Sequence, residues 1–96
     1  MLEEFDKAFE SRIRLQIMSV LAANESYDFS SLKELLEVTD GNLASHLKAL
    51  EKEAYISVNK RFIGRKPNTR YEATEKGVEA FRKHLESLEK LIRQQK

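Results

Sequence analysis

With 96 residues, the chain is long enough for one domain with a modest hydrophobic core, which a partner subunit would extend. Charged residues make up 34% and apolar residues 41%, which is typical of a folded, water-soluble protein and excludes a disordered chain. The formal net charge of +1 indicates no class of partner by itself, and the absence of cysteine excludes disulfides and thiolate metal sites. No apolar segment is long enough for a signal peptide or a membrane span, so we expect a cytoplasmic protein without membrane contacts.

Apolar residues at helical spacing fill the first quarter of the chain. The first of them are Leu2, Phe5, Phe9 and Ile13. The same spacing then continues through Ile13, Ile17, Val20 and Leu21. This pattern predicts an opening helix, a break near Ser11 and a helix that runs to about Ala23.

The next segment predicts a loop followed by a short helix. Residues 24–28 are polar and have no helical period. Ser31 and Glu34 have the spacing of a capping box, in which the serine oxygen accepts from the glutamate backbone and the carboxylate reaches back. We therefore expect a helix that begins at Ser31. Its inward face would be Leu32, Leu35 and Leu36.

The pair Asp40-Gly41 is typical of a β-hairpin turn, but the residues that follow do not alternate as a strand would. Apolar residues recur instead at steps of four, three and four, at Leu43, Leu47, Leu50 and Ala54. With Thr39 as N-cap and Asp40 in the first turn, the pattern predicts a helix over residues 40–53. Two short helices joined by a tight turn form a helix-turn-helix. Gly41 would allow close approach either of the preceding helix or of a ligand backbone.

With its leucines inward, the helix over residues 40–53 presents small and polar side chains outward. They are Gly41, Ser45, Lys48 and Lys52, with Asn42 and Ala49 beside them. Small polar residues at a helix N-terminus suit entry into the major groove of DNA, which is about 12 Å wide. An ordinary solvated face has the same pattern.

The segment after this helix predicts a basic hairpin. Residues 56–59 alternate as an amphipathic strand does, and residues 64–69 supply glycine, proline and asparagine for a loop. Between Ala54 and Tyr71 there are five basic residues and no acidic one, which leaves 12 of the 17 basic and all 16 acidic residues to the rest of the chain. Cations on such a tip have no expected role in folding and suit phosphate oxygens or a narrow minor groove.

The C-terminal segment predicts one long helix with Thr74 as its N-cap. A heptad seam runs along it through Val78, Phe81, Leu85, Leu88 and Ile92. Such a seam predicts pairing with a second copy of the chain about a two-fold axis. Packing of this helix onto its own domain is the alternative.

The stretches TDGNLASHLKALEKEAYI, KRFIGRKPNTRYEAT and EKGVEAFRKHLESLEKLI resemble the small MarR/ArsR-like winged-helix transcription regulators, and above all the bare winged-helix DNA-binding domain family of bacteria and archaea. The resemblance extends over about residues 11–90. It implies a mainly α fold with a small β-hairpin, a winged helix-turn-helix with a long C-terminal dimerisation helix over residues 74–96. The helix over residues 40–53 would be the recognition helix and residues 56–73 the wing, within one domain over residues 1–96. Ala54 stands where members of the family often have glycine.

These patterns and the resemblance together assign two sets of residues. The expected DNA contacts are Thr39, Gly41, Asn42, Ser45, His46, Lys48, Ala49, Lys52, Lys60, Arg61, Arg65, Lys66, Asn68, Thr69 and Arg70. The expected dimer interface consists of Leu2, Phe5, Phe9, Val78, Phe81, Leu85, Leu88 and Ile92.

The sequence thus predicts a homodimeric transcriptional regulator that binds double-stranded DNA sequence-specifically. A winged helix that binds protein instead of DNA is the alternative, because a fold does not fix a function. An enzyme, a metal site and a cofactor are not expected, since the chain has two histidines in different helices and no phosphate-binding glycine loop. His46 either touches a phosphate or rims the core, and His84 is assigned to the surface or the dimer interface.

Overall fold

The computed structural model describes residues 5–94. In this range the elements are a 3-10 turn Lys7–Phe9, α1 Arg12–Ala23, β1 Tyr27–Asp28, α2 Phe29–Leu36, α3 Asp40–Lys52, β2 Ile56–Ile63, β3 Lys66–Ala73 and α4 Glu75–Arg93. The predicted fold class, mainly α with a small hairpin, a helix-turn-helix and a long C-terminal helix, is confirmed. The prediction for Leu2 lies outside the described residues.

Helix α1 begins where the sequence predicts a break. The Ser11 hydroxyl accepts a hydrogen bond from the backbone N–H of Arg14 at 3.3 Å and caps the helix. Such a cap satisfies one of the N–H groups that a helix start leaves unpaired and contributes about 1 kcal/mol. Residues 5–10 contain only the 3-10 turn, so the expected opening helix does not form there.

The core lies between the first three helices. Its most completely buried side chains are Ile17, Met18, Leu21, Leu32, Leu43, Leu47 and Leu50. The three from α3 are the leucines that the sequence assigns to its inward face. Burying each such side chain contributes roughly 1.5–3 kcal/mol, so these leucines fix which face of α3 remains outside.

The start of α2 differs from the prediction. Its N-cap is Asp28, whose carboxylate accepts from the backbone N–H of Ser31 at 3.2 Å and from the Ser31 hydroxyl at 2.6 Å. The capping box at Ser31 is therefore wrong, because a charged oxygen three residues earlier is the stronger acceptor. The Ser31 hydroxyl holds the pKa of Asp28 below its usual value.

The predicted loop over residues 24–28 ends in a strand. Tyr27 and Asp28 form β1, which pairs antiparallel with Tyr71 and Arg70 of β3, giving the strand order β1-β3-β2. Helix α2 follows directly and presents only part of its predicted face inward. Leu32 is buried, while Leu35 is exposed to solvent.

The hairpin is longer and its turn tighter than the sequence predicts. Strands β2 and β3 pair without a break from Ile56 with Ala73 to Ile63 with Lys66, so only Gly64 and Arg65 form the turn. Gly64 has φ of 65°, which glycine adopts without steric cost, and this is the residue that a two-residue hairpin turn requires first. The expected loop over residues 64–69 is therefore corrected to two residues.

Helix α3 ends in a Schellman motif. The N–H of Tyr55 donates to the carbonyl of Leu50 at 3.0 Å, and the N–H of Ala54 donates to that of Glu51 at 2.9 Å. Ala54 has φ of 62°, a left-handed conformation that costs a residue with a side chain about 1–2 kcal/mol. The backbone conformation at this position thus favours glycine, but the residue is alanine.

Helix α4 begins against the end of α3. Its N-cap Thr74 accepts from the backbone N–H of Gly77 at 2.9 Å and donates its hydroxyl proton to the carbonyl of Ala54 at 2.7 Å. A Cβ at Gly77 would lie 2.0 Å from the carbonyl oxygen of Tyr55. This close approach is possible only because Gly77 has no side chain.

We expect Gly77→Ala to destabilise the protein by about 3 kcal/mol and to lower Tm by roughly 10–20 °C, because the clash is with backbone that cannot move aside. Gly41→Ala is the matched control, since the space beside Gly41 is open and alanine favours a helix. Thermal unfolding of both variants at one protein concentration measures the difference. Equal Tm values for the two variants would contradict the role of Gly77.

We expect Ala54→Gly to stabilise the protein by about 1 kcal/mol and to raise Tm by roughly 4–8 °C, because glycine adopts the left-handed conformation without strain. Ala44→Gly, at an exposed position inside α3, should have the opposite sign, with a loss of about 1 kcal/mol. Urea unfolding of both variants tests the pair. A destabilised Ala54→Gly protein would show that the alanine methyl group outweighs the strain.

Candidate nucleic-acid interface

The outward face of α3 is free of contacts with the core. Thr39 caps the helix by accepting from the backbone N–H of Asn42 at 3.2 Å. Asn42, Ser45 and Lys48 are exposed, as are Gly41 and Lys52. Outside the helix itself, no atom of residues 5–94 lies within 4 Å of a Cβ built on Gly41. The close packing of α2 against Gly41, one of the two predicted alternatives, is therefore wrong.

An open groove of about 620 Å³ separates α3 from the hairpin β2–β3. Gly41, Ser45 and Lys48 line it on the helix side. On the hairpin side it is lined by Val58, Lys60 and Tyr71. One lysine therefore projects from each wall, and Glu51 is an acidic residue at the same groove.

The strand register divides the basic hairpin into two faces. Cross-strand partners share a face, so Lys60 and Thr69 lie on the groove face with the pair Phe62 and Pro67. The opposite face carries the pairs Asn59–Arg70, Arg61–Asn68 and Ile63–Lys66. The predicted DNA contacts of the hairpin are thus distributed over both faces and the turn.

Arg70 is engaged within the chain. Its Nε donates to the hydroxyl of Ser26 at 2.9 Å, and its Nη1 lies 3.9 Å from Oδ1 of Asp28. The guanidinium therefore holds β1 and the segment before it against β3. Arg70, one of the predicted DNA contacts, therefore also has a structural role in the sheet.

His46 lies at the edge of the core. It is half-buried and does not line the groove. Burial, and to a smaller extent the positive charge of Arg14 on α1, lower the pKa of His46, which favours the neutral imidazole. Of the two predicted alternatives, the structure favours the position at the rim of the core. Ala49 is likewise half-buried.

The chain matches the family model described as winged helix DNA-binding domain over residues 13–92. It belongs to that family. The resemblance to small winged-helix regulators that the sequence predicts is confirmed, with α3 in the place of the recognition helix and the hairpin β2–β3 in the place of the wing. We use these two names below.

Similar proteins share most of this winged-helix chain. An uncharacterised protein of Methanocaldococcus jannaschii is 38% identical over 79 residues, which are 82% of this chain and 86% of that one. A transcriptional regulator homologue from Pyrococcus horikoshii is 33% identical, with a TM-score of 0.79 and 95% of both chains covered. ZitR from Lactococcus lactis, a zinc-responsive MarR family member, is 21% identical, with a TM-score of 0.64 over 85% of this chain and 56% of its own. At that identity the likeness to ZitR shows the fold alone.

The long helix of the winged-helix domain has an exposed apolar stripe. Val78, Leu85 and Ile92 recur every seven residues and are exposed along α4, with Phe81 and Leu88 half-buried beside them. Phe5, another residue of the predicted dimer interface, is half-buried.

Two predictions for this region are wrong. Phe9, assigned to the dimer interface, is 3% exposed and stacks on Tyr55 at a ring-centroid distance of 5.5 Å. His84, assigned to the surface or the interface, is 6% exposed, and its Nδ1 accepts from the backbone N–H of Asp6 at 3.3 Å. Both residues join the N-terminal segment to α4 inside one chain, which a helical period alone does not reveal.

Residues 5–94 contain no candidate metal centre and no helix that could span a membrane. In that range no three His, Cys, Asp or Glu side chains are grouped to hold a metal ion. The helices of the same range are too short or too polar to cross a bilayer.

Proposed function

We propose that this winged-helix protein is a dimeric transcriptional regulator that binds double-stranded DNA sequence-specifically. The recognition helix enters the major groove, and the wing lies on the backbone or in the adjacent minor groove. The observation that carries the proposal is the groove between them. Its helix wall is small and polar, and each wall contributes a lysine, Lys48 and Lys60, to a phosphate backbone lying across it.

The first turn of α3 supports base contacts. Asn42 and Ser45 project from the end of the helix that enters a major groove first in helix-turn-helix proteins. Gly41 leaves space for close approach of a ligand backbone. The one carboxylate in this turn, on Asp40, is paired with Lys33 of α2 at 2.9 Å, which reduces its repulsion of phosphate.

The wing supports backbone contacts. Within the part of the chain that the structure describes, Lys60, Arg61, Arg65 and Lys66 are exposed and form no ion pair. Their charges are therefore not neutralised by neighbours, unlike those of Arg82 and Arg93 on α4. A polyanion such as DNA would form favourable electrostatic contacts with all four side chains.

The apolar stripe of α4 supports a two-fold dimer. A helix of 19 residues is about 28 Å long at 1.5 Å per residue. Paired stripes would bury Val78, Leu85 and Ile92 against the same residues of a second copy. The two recognition helices of such a dimer would be expected in successive major grooves about 34 Å apart.

We expect Asn42→Ala to weaken binding to the preferred DNA by about 1–3 kcal/mol per half-site, because asparagine can donate to N7 and accept from N6 of adenine only through its amide. The preferred duplex is obtained by selection from a randomised library, and an unrelated duplex of equal length measures non-specific binding. Asn59→Ala, on the face of the wing away from α3, is the matched control. An equal loss on both duplexes would make Asn42 a positioning residue.

We expect Arg65→Ala with Lys66→Ala to make the slope of log K against log salt shallower by about 3–4, because a dimer loses four cations at roughly 0.9 each. The free energy of unfolding should change little, since substitutions at exposed tip positions usually cost about 0.5 kcal/mol or less. The control is Lys83→Ala with Lys90→Ala, two exposed cations seven residues apart on the side of α4 away from the stripe. An unaltered slope in a folded wing variant would favour the protein-binding alternative.

We expect Leu85→Glu with Ile92→Glu to raise the dimer Kd more than 100-fold, because an unpaired charge in an apolar interface costs roughly 3–5 kcal/mol. Both side chains are exposed in the single chain, at 44% and 70%, so the fold should be retained. Leu35→Glu on α2, a leucine that is 53% exposed, is the matched control. Analytical ultracentrifugation that shows an unchanged dimer would exclude the α4 interface.

A further inference from the structure

The tip of the wing carries an aromatic side chain that the core does not use. Phe62 is 73% exposed, the largest exposed fraction among the large apolar residues of the described chain. Its neighbour Ile63 is 57% exposed. Neither side chain is buried by the fold, so a large apolar surface at the tip of the hairpin is available for contact with another molecule.

The register determines where this ring faces. Phe62 lies two residues beyond Lys60 and four beyond Val58, and both of these line the groove opposite the recognition helix. Since side chains alternate along a strand, Phe62 shares their face and Ile63 lies on the other. A duplex held between α3 and the wing would therefore meet Phe62.

The partner of Phe62 across the hairpin is a proline. Phe62 pairs with Pro67, one position beyond the pair Ile63–Lys66 that closes the turn. Because hydrogen-bonded and non-hydrogen-bonded pairs alternate, Phe62 and Pro67 form a non-hydrogen-bonded pair, in which side chains are closest. Proline is tolerated here because its nitrogen faces the open side of β3, which β1 covers only at Arg70 and Tyr71.

The charges around the ring identify the partner. Lys60 lies on the same face as Phe62, Arg61 and Lys66 lie on the opposite face of the same hairpin, and no acidic residue occurs between Ala54 and Tyr71. An exposed apolar side chain on a hairpin whose only charges are positive fits DNA, which has anionic phosphates outside and stacked bases within, and apolar wedges of this kind enter the minor groove.

From these observations we infer that Phe62 is a wedge that enters the minor groove next to the bound major groove, partly unstacks one base step and bends the duplex. The inference rests on the proposed DNA binding and adds how the DNA is deformed. Pyrimidine–purine steps unstack most readily, so the wedge creates a sequence preference at a position without hydrogen bonds to bases. Wedges of this kind bend DNA by roughly 20–90°.

The test uses the 96-residue protein and the selected duplex, with a dye at each end of the duplex and 2-aminopurine at the flanking pyrimidine–purine steps. End-to-end energy transfer reports bending, and 2-aminopurine fluorescence reports unstacking, both at saturating protein so that affinity does not affect them. Phe62→Ala should abolish both signals and reduce affinity for the duplex roughly 10-fold. This loss of affinity is smaller than the loss expected for a ring that is completely buried in the complex. Phe62→Leu should retain part of both.

Ile63→Ala is the matched control, because it removes an exposed apolar side chain one position away on the opposite face. It should bend and unstack DNA as the unchanged protein does. Unbent DNA in the complex of the unchanged protein, bending that persists in Phe62→Ala, or equal losses in both variants would overturn the wedge while leaving DNA binding established. Absence of binding to any duplex would overturn the proposed function as well.

Two other occupants of the tip give distinct results. If Phe62 served an anionic lipid surface, the unchanged protein would sediment with vesicles containing phosphatidylserine and Phe62→Ala would not. If it contacted a second copy of the chain, Phe62→Ala would change the sedimentation coefficient of the free protein. Either result overturns the wedge, and neither is expected.

Discussion

The rest of the structure depends on the contact between Gly77 and the carbonyl of Tyr55. At this point the end of the recognition helix, the start of the wing and the start of α4 meet. Besides the close approach at Gly77, the N–H of Thr74 donates to the same carbonyl at 3.0 Å, and the Thr74 hydroxyl donates to that of Ala54. Each hydrogen bond contributes about 0.5–1.5 kcal/mol to the stability of the fold. Together they fix the direction of α4 relative to that of α3. In the proposed dimer, that direction sets the spacing of the two recognition helices.

Tyr55 extends this junction to the N-terminal segment. Its ring stacks on Phe9, and its hydroxyl donates to the carboxylate of Asp6. Burial, with a smaller effect of Asp6, raises the pKa of Tyr55 to about 12, so the hydroxyl keeps its proton throughout the physiological range. The N-terminal segment thereby holds α4 against the core at His84, and the apolar stripe of α4 remains outside.

The basic residues of α4 and those of the wing differ in how many of them form ion pairs. On α4, Arg82 pairs with Glu79 and Glu86, and Arg93 pairs with Glu89, all at the spacing of one helical turn. Such exposed pairs contribute little to stability, but they neutralise the charges of these two arginines. Lys60, Arg61, Arg65 and Lys66 of the wing form no ion pair within residues 5–94, so the positive field that would attract DNA in the proposed function arises from the end of the molecule that carries the recognition helix.

The sequence by itself determined the features that depend on local periodicity and local caps. The helical spacing of the leucines gave α3 its inward face, Ser11 and Thr39 marked two helix starts, and the single sign of charge marked the wing. These features are decided within one or two turns of chain, and therefore the periods of 3.6 and 2 reveal them.

The tertiary structure alone decided which residues meet across the chain. Arg70 holds β1 against the sheet, and Phe9 and His84 are buried, because each has a partner supplied by a segment far away in sequence. The tertiary structure also decides on which face of the wing each side chain lies. Only the cross-strand register and the position of α3 show that Phe62 is on the groove face and that Ile63 is on the opposite face.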